Sequence, residues 1–137
     1  MSRAVSKWVG VSVVVRRGDL WLLHQRAEGA GCDAGLWGAP GGVVERGETY
    51  IEAAIRETRE ETGCMLVDIR LRAIYDLPDW VVFIVRGDLI GEPSQPNGEI
   101  HKAGPWRWLT SDEVARRRDS GQLQVGLERY FRAEGMP

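Results

Sequence analysis

Hydrophobic residues fall along this chain in short blocks whose spacing changes between the period-two pattern of strands and the 3.6-residue pattern of helices. Lys7 to Val15 is β-branched and apolar almost throughout, which suits a strand buried on both faces. Arg17-Gly18-Asp19 turns the chain and Leu20 to His24 returns, predicting a hairpin. Glu28 to Gly35, rich in Gly and small residues, reads as a loop, after which Leu36 to Ala39 forms a short strand. Pro40-Gly41-Gly42 reads as a turn and Val43 to Glu45 as a strand fragment ahead of a helix over Tyr50 to Thr62. Met65 to Tyr75 alternates apolar and polar residues, as a long, partly exposed strand does, and Asp76 to Asp79 breaks it. Trp80 to Val85 is a further apolar strand, Gly91 to Gly98 a loop, and Pro105 to Leu109 a last strand. Ser111-Asp112-Glu113 opens a helix containing Val114 to Arg118, and Gly121 to Ala133 predicts a final helix. The order of elements gives an α/β (α+β) fold, a mixed sheet with helices packed on it.

The central helix carries the clearest local signals. Thr49 with Glu52 three residues later is a capping box, and Gly63 can take the left-handed conformation that ends a helix. Ile51, Ala54, Ile55, Thr58 and Thr62 fall in one arc, predicting the core-facing stripe. Beside it, Glu57, Glu60 and Glu61 stand three and four residues apart, so their carboxylates converge. Like charges at that spacing repel by a few tenths (~0.2–0.5) of a kcal/mol per pair unless a cation lies among them. Arg56, four residues before Glu60, offsets part of this repulsion. A hard divalent ion that takes oxygen ligands would offset the rest, and Mg²⁺ is the usual one where a phosphate substrate completes its shell. Gly41 and Gly42 permit close backbone approach, and Glu48 stands at the helix entrance within reach of the same place.

The chain has 137 residues, 43% of them hydrophobic, which is enough for one compact domain and too few for two ordinary ones. A net charge of −2, with no basic run longer than Arg116-Arg117-Arg118, argues against a nucleic-acid polymer as partner. A small nucleotide fits that balance better. Cys32 and Cys64 stand apart, with no C-x-x-C pair to suggest zinc. The first apolar run is too short to span a bilayer, so no membrane is implied and a cytoplasmic location is expected.

Gly42, Glu48, Arg56, Glu57, Glu60, Glu61 and Gly63 fill the seven fixed positions of a pattern that resembles the signature of the Nudix hydrolases. The box spans residues 42–64, and Thr58 and Cys64 depart from it at two packing positions. Leu22 to Arg26 and Gly35 to Gly42 resemble the usual approach to this motif, and Gly91 through Glu99 with Trp106 to Leu109 is similar to the ends of MutT-like members, so the resemblance covers roughly residues 7 to 115. It implies an α/β/α sandwich with a mixed sheet, a single domain over residues 1–137, and Mg²⁺ (with Mn²⁺ as a substitute) as cofactor.

The chemistry implied is attack of water on a pyrophosphate linkage, most simply of a normal or modified nucleoside triphosphate, giving the monophosphate and pyrophosphate. By the same resemblance Glu57, Glu60 and Glu61 are metal ligands, with the Gly41 or Gly42 carbonyl beside them. Arg56 orients Glu48 or Glu57, and the base is divided between Glu57 and Glu99, with Glu45 close enough to join. Arg26 offers a fork of donors to phosphate, and Trp37, Trp80, Phe83 and Trp106 are aromatic candidates for stacking on a base. His24 and His101 read as ordinary polar positions. Two other functions stay open: hydrolysis of ADP-ribose or a nucleotide sugar, and a non-catalytic nucleotide-binding module. The oligomeric state, homodimer included, is not fixed by any residue.

Overall fold

Ten elements follow in the order β1 (Trp8–Arg17), β2 (Leu20–Gln25), β3 (Trp37–Gly38), β4 (Gly41–Val43), α1 (Tyr50–Thr62), β5 (Met65–Asp76), β6 (Trp80–Ile90), β7 (Arg107–Thr110), α2 (Ser111–Asp119) and α3 (Val125–Ala133). A computed structural model describes residues 6–27, 34–94 and 104–134. The strands form one mixed sheet in the order β3-β2-β1-β6-β5, with β4 added to β1 and β7 to β2. β1 runs parallel to β6 from Trp8↔Trp80 to Val15↔Gly87, and the remaining pairs are antiparallel. The predicted hairpin is present, with Arg16 opposite Trp21 and Arg17 opposite Leu20.

Strand alternation divides the core into two layers. Val11, Val13, Val15, Leu22 and Val85 face the cluster that holds Ala53 and Ala54 of α1. Val14, Trp21, Leu23 and Ile84 face the other, with Val114 of α2 and Leu127, Tyr130 and Phe131 of α3. Burying each such aliphatic side chain is worth about 1.5–3 kcal/mol, so β1 is buried on both faces because it anchors both layers.

Three local expectations change. The predicted stripe of α1 holds at Ala54, Thr58 and Thr62 but is turned at its start. Ala53, Ala54, Thr58 and Thr62 are buried, whereas Ile51 is 39% exposed. Small residues let the helix lie close to β4 and β1, and that rotation carries Glu57 and Glu61 toward the sheet. The Gly41-Gly42 segment is strand rather than turn, pairing with Ser12 and Val11. A Cβ at Gly41 would be driven into the Val11 carbonyl, so only glycine fits this pairing. The last helix begins at Val125, not Gly121, because the preceding residues run extended against Trp37. Its N–H donates to the Gln122 carbonyl (2.7 Å), and its carbonyl accepts from Gln124 N–H (3.0 Å).

Thr110 with Glu113 caps α2 by the same reciprocal box that Thr49 and Glu52 form at α1, and Gly63 ends α1 at φ 77°. Among the described residues no helix is long and apolar enough to cross a membrane.

Candidate active site

Strand β4 and helix α1 meet at two glycines and two glutamates. A Cβ on Gly42 would lie 2.6 Å from Oε1 of Glu57, so the Glu57 carboxylate occupies the space that any other residue at 42 would fill. One turn later, Oε1 of Glu61 accepts from the Gly41 N–H at 3.2 Å. Both carboxylates are thereby brought onto the backbone of the same short strand.

Arg56 sits among the acids. Its Nε donates to Glu48 Oε2 at 2.7 Å and its Nη2 to Glu48 Oε1 at 3.0 Å, a two-pronged pair. Nη1 reaches Glu57 Oε1 at 2.9 Å and Glu60 Oε2 at 3.3 Å, with Glu45 Oε1 at 3.7 Å. Nη2 also donates to the Val43 carbonyl at 3.1 Å. One guanidinium thus binds the loop before the helix, strand β4 and the helix itself into one unit. The Arg56 bond and the Glu45 N–H hold the Glu48 carboxyl down at about 2, while Glu48 and Glu57 push the Arg56 guanidinium further above its usual range.

The donor set is entirely oxygen: two carboxylates on Gly41-Gly42, a third at Glu60 that is half-exposed and faces Arg56, and backbone carbonyls. Among the described residues no three acidic, histidine or cysteine side chains converge into a complete metal cage. Two carboxylates, water and substrate phosphates are how Mg²⁺ is commonly held, so the residues fit that ion better than one needing a full protein shell.

The far end of α1 is tied down by Trp106, whose Nε1–H donates to the Glu61 carbonyl at 2.9 Å. Its ring lies flat on the His24 imidazole, centroids 3.8 Å apart and planes 7° apart. Burial, then the Arg26 charge, lowers His24 to about 4, so the imidazole is neutral at pH 7. Its Nδ1 is buried without a hydrogen-bond partner among the described residues. His24 belongs to the neighbourhood of the carboxylates, although as a residue type it gave no sign of it. The available signal was its position two after Leu22, on the same face of β2.

The structure brings together Gly41, Gly42, Glu45, Glu48, Arg56, Glu57, Glu60 and Glu61, with Trp106 beside them, and the Arg26 charge acts on His24. It does not bring Trp37 there. That indole is buried in the layer of α2 and α3, with the Arg117 guanidinium 4.4 Å over its ring. Phe83 stacks on Tyr50 at 4.6 Å, and Trp80 packs over Gly10 beside Trp8. Glu99, His101, Cys32 and most of the 28–35 loop lie outside the described residues, while Cys64 is buried.

A sheet with helices on both faces and an acidic, arginine-braced helix set against a glycine strand define a class, and the chain belongs to the NUDIX domain family, whose profile matches residues 6–128. It is similar to an RNA pyrophosphohydrolase of Rhizobium meliloti (strain 1021), 40% identical over 86 residues, which are 61% of this chain and 49% of that protein. An RNA pyrophosphohydrolase of Cereibacter sphaeroides (strain ATCC 17029 / ATH 2.4.9) is 31% identical over 131 residues, 93% of this chain and 76% of that one. The fold resembles the crystal structure of a MutT NUDIX hydrolase from Burkholderia pseudomallei, with a TM-score of 0.70 and 29% identity over 79% of this chain and 86% of that chain. The chain spans about half the length of the Rhizobium relative.

Proposed function

We propose that this protein is a Mg²⁺-dependent hydrolase of a pyrophosphate linkage, acting on a normal or modified nucleoside triphosphate to release the monophosphate and pyrophosphate. The observation that carries the reading is the seating of Glu57 and Glu61 on Gly41-Gly42 with Arg56 bracing the cluster. Water adds to a phosphorus of the α–β anhydride, the bridging P–O bond breaks, and its electron pair leaves with pyrophosphate when the α-phosphorus is attacked or with the nucleoside monophosphate when the β-phosphorus is. A divalent cation, bound through Glu57 and Glu61 with Glu60 and the Gly42 carbonyl as further oxygen donors, would neutralise phosphate charge and acidify the attacking water. The water's proton goes to a carboxylate, Glu57 or Glu99, between which the assignment is divided. Arg56 holds Glu57 and Glu48 in place and keeps the Glu48 carboxyl ionised, and Arg26 offers donors to the phosphates.

A second reading is favoured by the relatives named RNA pyrophosphohydrolase, and it makes a pyrophosphate linkage on RNA the substrate. The bond broken is the same, and only the group beyond the phosphates differs. One experiment separates the readings: Mg²⁺-dependent turnover of nucleoside triphosphates, a 5′-triphosphorylated oligoribonucleotide, ADP-ribose and nucleotide sugars, for native protein and Glu57→Gln, with products resolved by anion exchange. Pyrophosphate from free triphosphates, reduced about 10²-fold or more in the variant, is expected. Preference for the oligoribonucleotide would move the assignment to RNA ends. Undiminished turnover in Glu57→Gln would overturn the site, and nucleotide binding without turnover would make the protein a binding module.

A further inference from the structure

On the layer of the sheet that faces α2, Gln25, Trp37, Arg107, Glu113 and Arg117 line a cavity of about 210 Å³. This is below the roughly 300–1,000 Å³ of sites for drug-sized ligands. It suits a phosphate-sized group better than a whole nucleotide.

Its charge is distinctive. Two guanidiniums line it, and no ion pair joins Arg107 or Arg117 to a carboxylate among the described residues. The acid in the lining, Glu113, is already engaged: its Oε1 accepts from Thr110 N–H at 3.2 Å and from Thr110 Oγ1 at 3.1 Å, as the cap of α2. Arg117 is ordered before any ligand arrives, stacked 4.4 Å over Trp37 and bonded through Nη1 to the Glu113 carbonyl at 3.0 Å. Its Nε is buried with no acceptor among the described residues. Gln25 is fixed as well, its Nε2 donating to the Gly35 carbonyl at 3.0 Å.

We propose that this cavity is an anion site for a phosphate group, with Arg107 and Arg117 as its donors, separate from the Glu57 cluster and independent of the hydrolysis reading. Two arginine forks present more N–H groups than one carboxylate can accept, whereas a phosphate has oxygens for both. Arg117 supplies the pre-ordered donor and exposed Arg107 the one that closes on the ligand. The phosphate is either free, as inorganic phosphate or pyrophosphate, or the terminal group of a nucleotide.

The test is calorimetric titration of the full chain with inorganic phosphate, pyrophosphate, AMP and acetate in EDTA, where the acidic cluster has no cation through which to hold an anion. Arg107→Ala and Arg117→Gln are compared with native protein, and Arg107→Ala, at an exposed side chain, keeps the fold as checked by thermal melting. Phosphate or pyrophosphate binding that weakens about tenfold in each variant is expected. AMP binding as tightly as phosphate would identify the source as a nucleotide, and AMP excluded while phosphate binds would identify the free anion. The proposal is overturned if no phosphate compound binds at concentrations of order 10 mM, if Arg107→Ala binds as native does, or if acetate binds as well as phosphate.

Discussion

Trp106 shows how a residue can matter to a site without facing its ligand. The sequence places it among aromatics that could stack on a base, but its two contacts are with the protein itself: the Glu61 carbonyl and the His24 ring. That carbonyl is one of the last in α1, where carbonyls lack helical partners, and a part-buried one left unpaired costs about 1–3 kcal/mol. The indole therefore fixes where the end of α1 sits against β2, and with it the Glu61 side chain that reaches Gly41. Trp106→Phe keeps the stack and removes only the donor. Its melting temperature should stay within a few degrees of native, while direct titration should show divalent-metal affinity reduced about tenfold. Unchanged metal affinity would make Trp106 a packing residue only. Thr58, in contrast, has a fully buried side chain whose hydroxyl lacks a partner among the described residues, and nothing in the structure gives that hydroxyl a role.

At the scale of elements, the site is a contact between a strand without side chains and a helix with small ones. Ala53 and Ala54 let α1 settle on the sheet, and the bare backbone at Gly42 leaves room for the Glu57 carboxylate. Gly42→Ala tests this approach. Its backbone needs no left-handed conformation, so the strand can form, but the added methyl would meet Glu57 Oε1 at 2.6 Å and displace the carboxylate. The expected result is kcat lowered about 10- to 100-fold, since misplacement by about 1 Å is enough for that loss, with a much smaller change in urea midpoint. Native kcat in this variant would mean that Glu57 works from another position. The same contact explains what sequence could and could not show. Thr49, Glu52 and Gly63 announced the ends of α1 correctly because caps depend on neighbours three or four residues away. The strand character of Gly41-Gly42 and the late start of α3 depend on partners distant in sequence, Val11 and Trp37. The acidic cluster was legible because all of its members lie within residues 45–61. The face taken by Trp37 was not, being set by helices about 80 residues further on.

Across the whole molecule, two titrating groups, Glu48 at the start of α1 and His24 beside its end, make the fold sensitive to acid in the same direction. His24 titrates at about 4 in the folded protein against 6.5 for an ordinary histidine, because burial and the Arg26 charge disfavour the imidazolium. The unfolded chain binds that proton first, so stability falls as pH drops from about 6.5 to about 4. Glu48 is held at about 2, chiefly by Arg56, against 4.5 when unfolded, so its contribution is present above 4.5 and is lost as pH falls toward 2. The two windows are nearly sequential, which lets one substitution separate them. His24→Phe preserves a flat ring against Trp106 and removes both the proton site and the buried unpaired Nδ1. Urea unfolding at about pH 7, 5.5 and 4 should show native protein losing up to about 3 kcal/mol more than the variant over this range. Below about pH 4 both proteins should lose stability together as Glu48 protonates and the Arg56 brace opens. Parallel loss from pH 7 downward would mean that His24 takes up its proton in the folded state, and that the Trp106 stack is open to solvent.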